Sequence, residues 1–128
     1  MSYTLSNLRE SEDLAQKGGY GELQEARFPG GDLDAEATGL ALIKVKPNQR
    51  QPFAHRHNQA EEIYVVISGS GRFKLDDERV EVGELDAVRI EPKVARAAEA
   101  GPDGLEFLAF GPRHQGDAEI LESDFWSD

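Results

Sequence analysis

From Leu40 onward the chain reads as strands separated by turn signals, spaced closely enough to predict an all-β barrel or sandwich. Ala41, Ile43 and Val45 fall on one face of a strand that stops at Pro47-Asn48, where proline presets the first turn position and asparagine tolerates the left-handed second. Strands are predicted over Gln51 to His57 and Glu62 to Ser68. After a break at Gly69-Ser70-Gly71, Arg72 to Leu75 and Arg79 to Val82 flank the polar turn Asp76-Asp77, and Asp86 to Ile90 follows. Arg96 to Ala100 and Leu105 to Phe110 are expected to pair as a hairpin across Gly101-Pro102-Asp103-Gly104. Before Leu40 the pattern is mixed, and Asn7 followed by Glu10 marks one short helix ending at Gly18-Gly19. Residues 1–128 are read as one domain: a barrel core at about 40–111, an N-terminal arm at 1–39 and an acidic tail at 113–128.

One strand departs from simple alternation. On Glu62 to Ser68, Tyr64 and Val66 share a face with Glu62, yet Ile63, Val65 and Ile67 on the other face are apolar too. A strand of a lone barrel should be polar on its outer side. The N-terminal arm, with Leu5, Leu8 and Leu23, can supply part of a cover. It is too short to cover this face and the Ala41, Ile43, Val45 face together, so a homodimer with a two-fold contact is expected. Phe107 and Phe110 are expected in the core, and Phe125 and Trp126 are expected to dock the tail on the barrel.

Composition narrows the function classes. A chain of 128 residues supports a single core. Its formal charge of −11 argues against a nucleic-acid partner, because a phosphate backbone needs clustered Lys and Arg. No apolar run approaches the roughly 18 residues of a membrane span. The N-terminus lacks the basic and apolar regions of a secretory signal, so no such signal is expected; no membrane partner is expected either. The absence of cysteine fits a reducing, cytoplasmic setting and restricts any metal site to His and carboxylate ligands.

Two of the chain's three histidines sit together in His55-Arg56-His57, five residues before Glu62. In an extended strand His55 and His57 project from the same side. A short turn through Asn58-Gln59-Ala60 lets Glu62, on the next strand, swing toward them. Two imidazoles and one carboxylate on one face form a facial triad for a divalent metal, with positions left open for substrate or oxygen. The bland alternative is a pair of hydrogen-bonded histidines lining the interior without metal. Tyr64, on the Glu62 face, could donate a hydrogen bond to a ligand or simply pack. Arg56 and Glu61 point the other way and read as surface, and His114, after Gly111-Pro112, reads as exposed.

The sequence resembles the cupin superfamily, specifically its small single-domain, second-type members. The family's first motif, two histidines one residue apart, a glutamate five positions on and a glycine seven further, is met by His55, His57, Glu62 and Gly69. Asn48 or Gln49 stands where the family has a glycine ahead of the first histidine. The second motif is degenerate. Counting from Asp86, Leu85 takes a glycine position, Pro92 supplies one proline, Lys93 falls at the turn glycine, and Arg96 falls where the fourth ligand, a histidine, should be. The resemblance spans about 40–111. It implies a double-stranded β-helix barrel whose mouth holds the site, with Fe, Mn, Zn or Ni on His55, His57 and Glu62, and a small-molecule ligand. The superfamily includes oxygenases, isomerases and sensory domains, so fold alone does not fix function. Arg96 cannot ligate a cation. It either pairs with Glu62 in the metal's place, as in a metal-free binding domain, or tilts away and anchors an anionic substrate.

Overall fold

The computed structural model describes residues 2–121 and 125–127. Asn7 caps as expected, accepting from the Arg9 N–H, but only a short 3-10 turn (Leu8–Glu10) follows. A separate four-residue helix, α1 (Leu14–Lys17), starts under an Asp13 cap and ends at Gly18. The single helix is split because the Asp13 carboxylate accepts from Ala15 and Ala26 at once, tying the helix start to the sheet.

Among the described residues eight strands follow: β1 (Gln24–Arg27), β2 (Thr38–Val45), β3 (Ala54–His57), β4 (Glu62–Leu75), β5 (Glu78–Val82), β6 (Ala87–Ile90), β7 (Arg96–Pro112) and β8 (Ala118–Leu121). All pairings are antiparallel. The long strands β4 and β7 pair with each other throughout and divide the sheet into two layers. The first half of β4 and the second half of β7 join β1, β2 and β6; the other halves join β3, β5 and β8. Tyr64 and Phe107 from the first layer meet Phe73 from the second, with ring centroids 4.9–5.4 Å apart, so the layers enclose one core. Ala41, Ile43 and Val45 belong to that core and need no further cover. This is a mostly β, double-stranded β-helix architecture.

Three expectations are corrected. Gly101-Pro102-Asp103-Gly104 is not a hairpin: the segments on either side are successive parts of one strand, β7, which pair along the same partner β4, and the glycine-rich stretch bulges out where β7 passes between layers. Gly69-Ser70-Gly71 likewise does not end a strand but bends β4 beside that bulge. Gly69 has φ +79°, and a Cβ there would stand 2.0 Å from the Gly104 carbonyl oxygen, so backbone approach demands glycine. The sheet also runs past 40–111 at both ends, through β1 and β8.

On the outer face Ile63 is 41% exposed and faces Phe110 across the ladder, 36% exposed rather than core; Val65 and Ile67 are half-buried. The N-terminal arm reaches this face at Glu106, which Arg9 holds through two hydrogen bonds of 2.9 and 3.0 Å. Trp126 packs with Ala54, Ala97, Leu121 and Phe125, and the Arg50 guanidinium lies 4.7 Å from its ring. Among the described residues, no helix is long and apolar enough to cross a membrane.

Candidate metal and ligand site

The parity of β3 turns His55 and His57 to one side, with their rings 5.2 Å apart. The turn after them is fixed by a residue from the far end of the chain. Asp117, 6% exposed, accepts from the Gln59 and Ala60 N–H groups at 2.9 Å each, and its carboxylate also lies 3.1 Å from His57 Nδ1. The turn therefore delivers Glu62 at the start of β4, its Oε1 3.1 Å from His57 Nε2 and 3.7 Å from His55 Nε2.

These contacts set the charges. Burial works to raise the Glu62 pKa, but hydrogen bonds from His55 and His57 outweigh it and bring it down to about 2. The hydrogen bond to Glu62 raises the His57 pKa against the opposing effect of burial, with Asp117 adding to it. Tyr64, 4% exposed, is pushed well above the usual phenol range by burial and then by the Glu62 charge. It keeps its proton and remains a donor.

The donor set fits a divalent metal. One ligand atom each from His55, His57 and Glu62 lies within 4.8 Å of the others. Asp117 can hold the Nδ1–H of His57 and leave Nε2 for an ion, the usual bracing of a metal-bound imidazole.

Arg96 sits opposite His55 in the β3–β7 register and is 1% exposed. It donates to Glu62 Oε1 at 2.7 Å, to Val94 O at 3.0 Å, and to Glu91 O and Pro92 O at 2.8 and 3.2 Å. These partners hold the guanidinium on Glu62 Oε1, the oxygen that also faces both histidines. The structure thus brings His55, His57, Glu62 and Arg96 together, but Arg96 is not part of the cavity wall, whereas His55, His57, Glu62 and Tyr64 are.

That cavity has a volume of about 570 Å³, with Tyr20, Phe28, Phe53, Ile43 and Phe107 among its walls and exposed His114 at its edge. Sequence reasoning missed three of its polar supports. Gln51 was within reach, since it shares the parity of His55 and His57. Nothing in the sequence separates Asp117 from the other acids of the tail, and Gln24 lies in a segment with no apolar alternation.

The cupin domain family matches residues 41–109. The uncharacterized protein MJ1618 of Methanocaldococcus jannaschii is 35% identical over 81 residues, which is 61% of this chain and 65% of that protein. The chain therefore spans just under two thirds of that relative's length. Among solved structures, a cupin protein (BF4112) from Bacteroides fragilis superposes with a TM-score of 0.72 at 22% identity, covering 97% of this chain and 95% of its own. Streptomyces Pac13, a nucleoside dehydratase also solved with uridine, gives a TM-score of 0.72 at 17% identity, covering 91% of this chain and 89% of its own.

Proposed function

The chain belongs to the cupin family, and from that premise we propose that it is a metal-dependent enzyme of oxygenase or isomerase type. In this reading His55, His57 and Glu62 hold a divalent ion, Fe, Mn, Zn or Ni, and the substrate is a small polar molecule. The observation that carries it is the convergence of three ligand atoms within 4.8 Å on the wall of a cavity of about 570 Å³. Such a volume lies within the usual range for small-molecule sites. The likeness to Pac13 suggests a ligand of nucleoside scale. When bound, the ion supplies Lewis-acid polarisation of a substrate oxygen. Asp117 holds the His57 ring, Tyr64 offers a hydroxyl proton to the ligand, and the aromatic walls exclude water. Arg96 serves as the counter-charge that positions Glu62, since its hydrogen bonds run to Glu62 and to backbone carbonyls rather than toward the cavity. The proposed location is the cytoplasm, with which a chain free of cysteine is compatible.

The 2.7 Å contact between Arg96 and Glu62 favours a second reading, a metal-free ligand-binding or sensing domain in which this pair fills the metal's place. Buried pairs of this kind are often near neutral in stability, so their presence alone does not require a metal. Elemental analysis of protein purified without a histidine tag separates the two. We expect a stoichiometric divalent metal that is lost in folded His57→Ala. Protein that carries no metal, and gives no heat on titration with zinc, manganese, nickel or ferrous ion, would overturn the enzyme reading in favour of the second.

A further inference from the structure

The metal reading leaves two carboxamides in the cavity wall without a role. Gln51 is clamped to β7 at both ends: its backbone N–H donates to Ala98 O at 2.9 Å, and the Ala98 N–H donates to Gln51 Oε1 at 2.9 Å. A backbone N–H can only donate, so the side-chain oxygen of Gln51 must face Ala98 and its Nε2 must point away. That Nε2 donates to Gln24 Oε1 at 3.0 Å. The orientation of Gln24 follows from the same rule, because an amide NH₂ cannot accept. Gln24 gives its oxygen to Gln51 and turns its own Nε2 elsewhere.

Gln24 is 7% exposed, sits on the inward face of β1 and lines the cavity. Its Nε2 has no hydrogen-bond partner among the described residues. Nor is that atom sealed in: among the described residues, the fully shielded side-chain atom that lacks a partner is Trp126 Nε1 alone. A reachable but unpaired donor on an otherwise buried side chain is satisfied only from within the cavity. Beside it, Tyr20 and Phe53 form an edge-to-face corner with centroids 5.7 Å apart, and the Gln24 N–H donates to Tyr20 O at 3.2 Å.

We propose that Gln24 selects the ligand, an inference that rests on reading this cavity as a small-molecule site. The ligand class is a ring compound bearing a carbonyl or similar acceptor oxygen, with the ring against Tyr20 and Phe53 and the oxygen on the Gln24 N–H groups. Gln51 is a positioning residue, locked by Ala98 so that Gln24 cannot turn its oxygen toward the ligand. A molecule offering a donor at this point leaves two donors face to face and is rejected.

The test uses acetophenone and its near-isostere α-methylstyrene, which replaces C=O by C=CH₂, titrated into the full chain. Nitrogen-15 NMR follows the side-chain NH₂ signals of Gln24, identified by their absence in Gln24→Leu. Acetophenone should shift that pair and bind roughly tenfold more tightly than α-methylstyrene, the yield of one good hydrogen bond. The preference should vanish in Gln24→Leu and in the isosteric Gln24→Glu. It should also vanish in Gln51→Glu, which still accepts from Ala98 but cannot hold the Gln24 oxygen; a merely structural role would weaken both probes alike. Equal binding of the two probes to the native chain overturns the role of Gln24 alone. Binding of neither overturns the small-molecule reading of the cavity with it.

Discussion

Arg96→Met keeps the reach and bulk of the side chain and removes only the guanidinium. That group is 1% exposed and is held by Glu62 and three backbone carbonyls. Removing one partner of a buried pair costs about 3–5 kcal/mol, and the lower end, about 3 kcal/mol, applies here because His55 and His57 still face the Glu62 carboxylate. For a chain of this size that should lower the metal-free melting temperature by about 10 °C. The effect on metal binding has the opposite sign. An ion held at about 2 Å from Glu62 Oε1 would stand within about 5 Å of Arg96 Nη1. At an effective dielectric of about 20, the two would repel by about 7 kcal/mol. Loss of the bracing that Arg96 gives to Glu62 costs only about 10–100-fold in affinity. Repulsion is the larger effect, so Arg96→Met should bind zinc at least roughly tenfold more tightly than the native chain. Arg96→His should do the same, since a neutral imidazole replaces the cation. Urea unfolding in EDTA measures the first effect and calorimetric titration with zinc the second. A folded Arg96→Met variant that binds zinc more weakly would refute the reasoning, because Arg96 would then support the metal rather than oppose it.

Metal-free stability should be limited on both sides of a pH plateau. The folded pKa of Glu62, about 2, lies below its ordinary 4.5, so its share is present above pH 4.5 and is lost as pH falls toward 2. His57 is raised above 6.5, so its share is complete below pH 6.5 and is lost as pH rises through the raised value. Urea midpoints in EDTA trace both limbs, and His57→Gln should flatten the alkaline one. Asp117→Asn turns an amide NH₂ toward His57 or surrenders one of the backbone N–H bonds; zinc affinity should fall about 10–100-fold in calorimetry while the circular dichroism spectrum is retained. The chain is expected to form a two-fold dimer through the outer face around Ile63 and Phe110, with Ile63→Glu giving monomers by light scattering. A native mass near one chain at micromolar concentration would exclude that dimer.

The parts of the molecule legible in the sequence are those decided by local backbone chemistry. Strand parity placed His55 and His57 on one side and put Tyr64 on the Glu62 face, and all four line one cavity. The turn at Pro47-Asn48 was read from side-chain preference, and Asn48 does adopt a positive φ of 61°. Gly-Pro-Asp-Gly misled because turn chemistry does not say which strand lies alongside: Gly69 and Gly104 meet across β4 and β7, more than thirty residues apart, and that encounter converts two apparent turns into two bends.

The other omissions share a single physical origin. A half-buried strand is found by its apolar inward positions, but β1 turns Gln24 inward, and β8 is introduced by a buried aspartate in an acidic tail. In both segments a polar residue occupies a position that packing alone would give to an apolar one, so hydrophobic periodicity cannot register them. Burying such groups is costly unless they are hydrogen-bonded. Asp117 is matched by two backbone N–H groups and His57, whereas Gln24 is matched on its oxygen only. Among the described residues the half-satisfied amide finds no second partner, and in the proposed reading the ligand supplies it. The failure of the strand pattern at Gln24 is therefore itself a pointer to the ligand, since sequences depart from local consistency chiefly where function demands it.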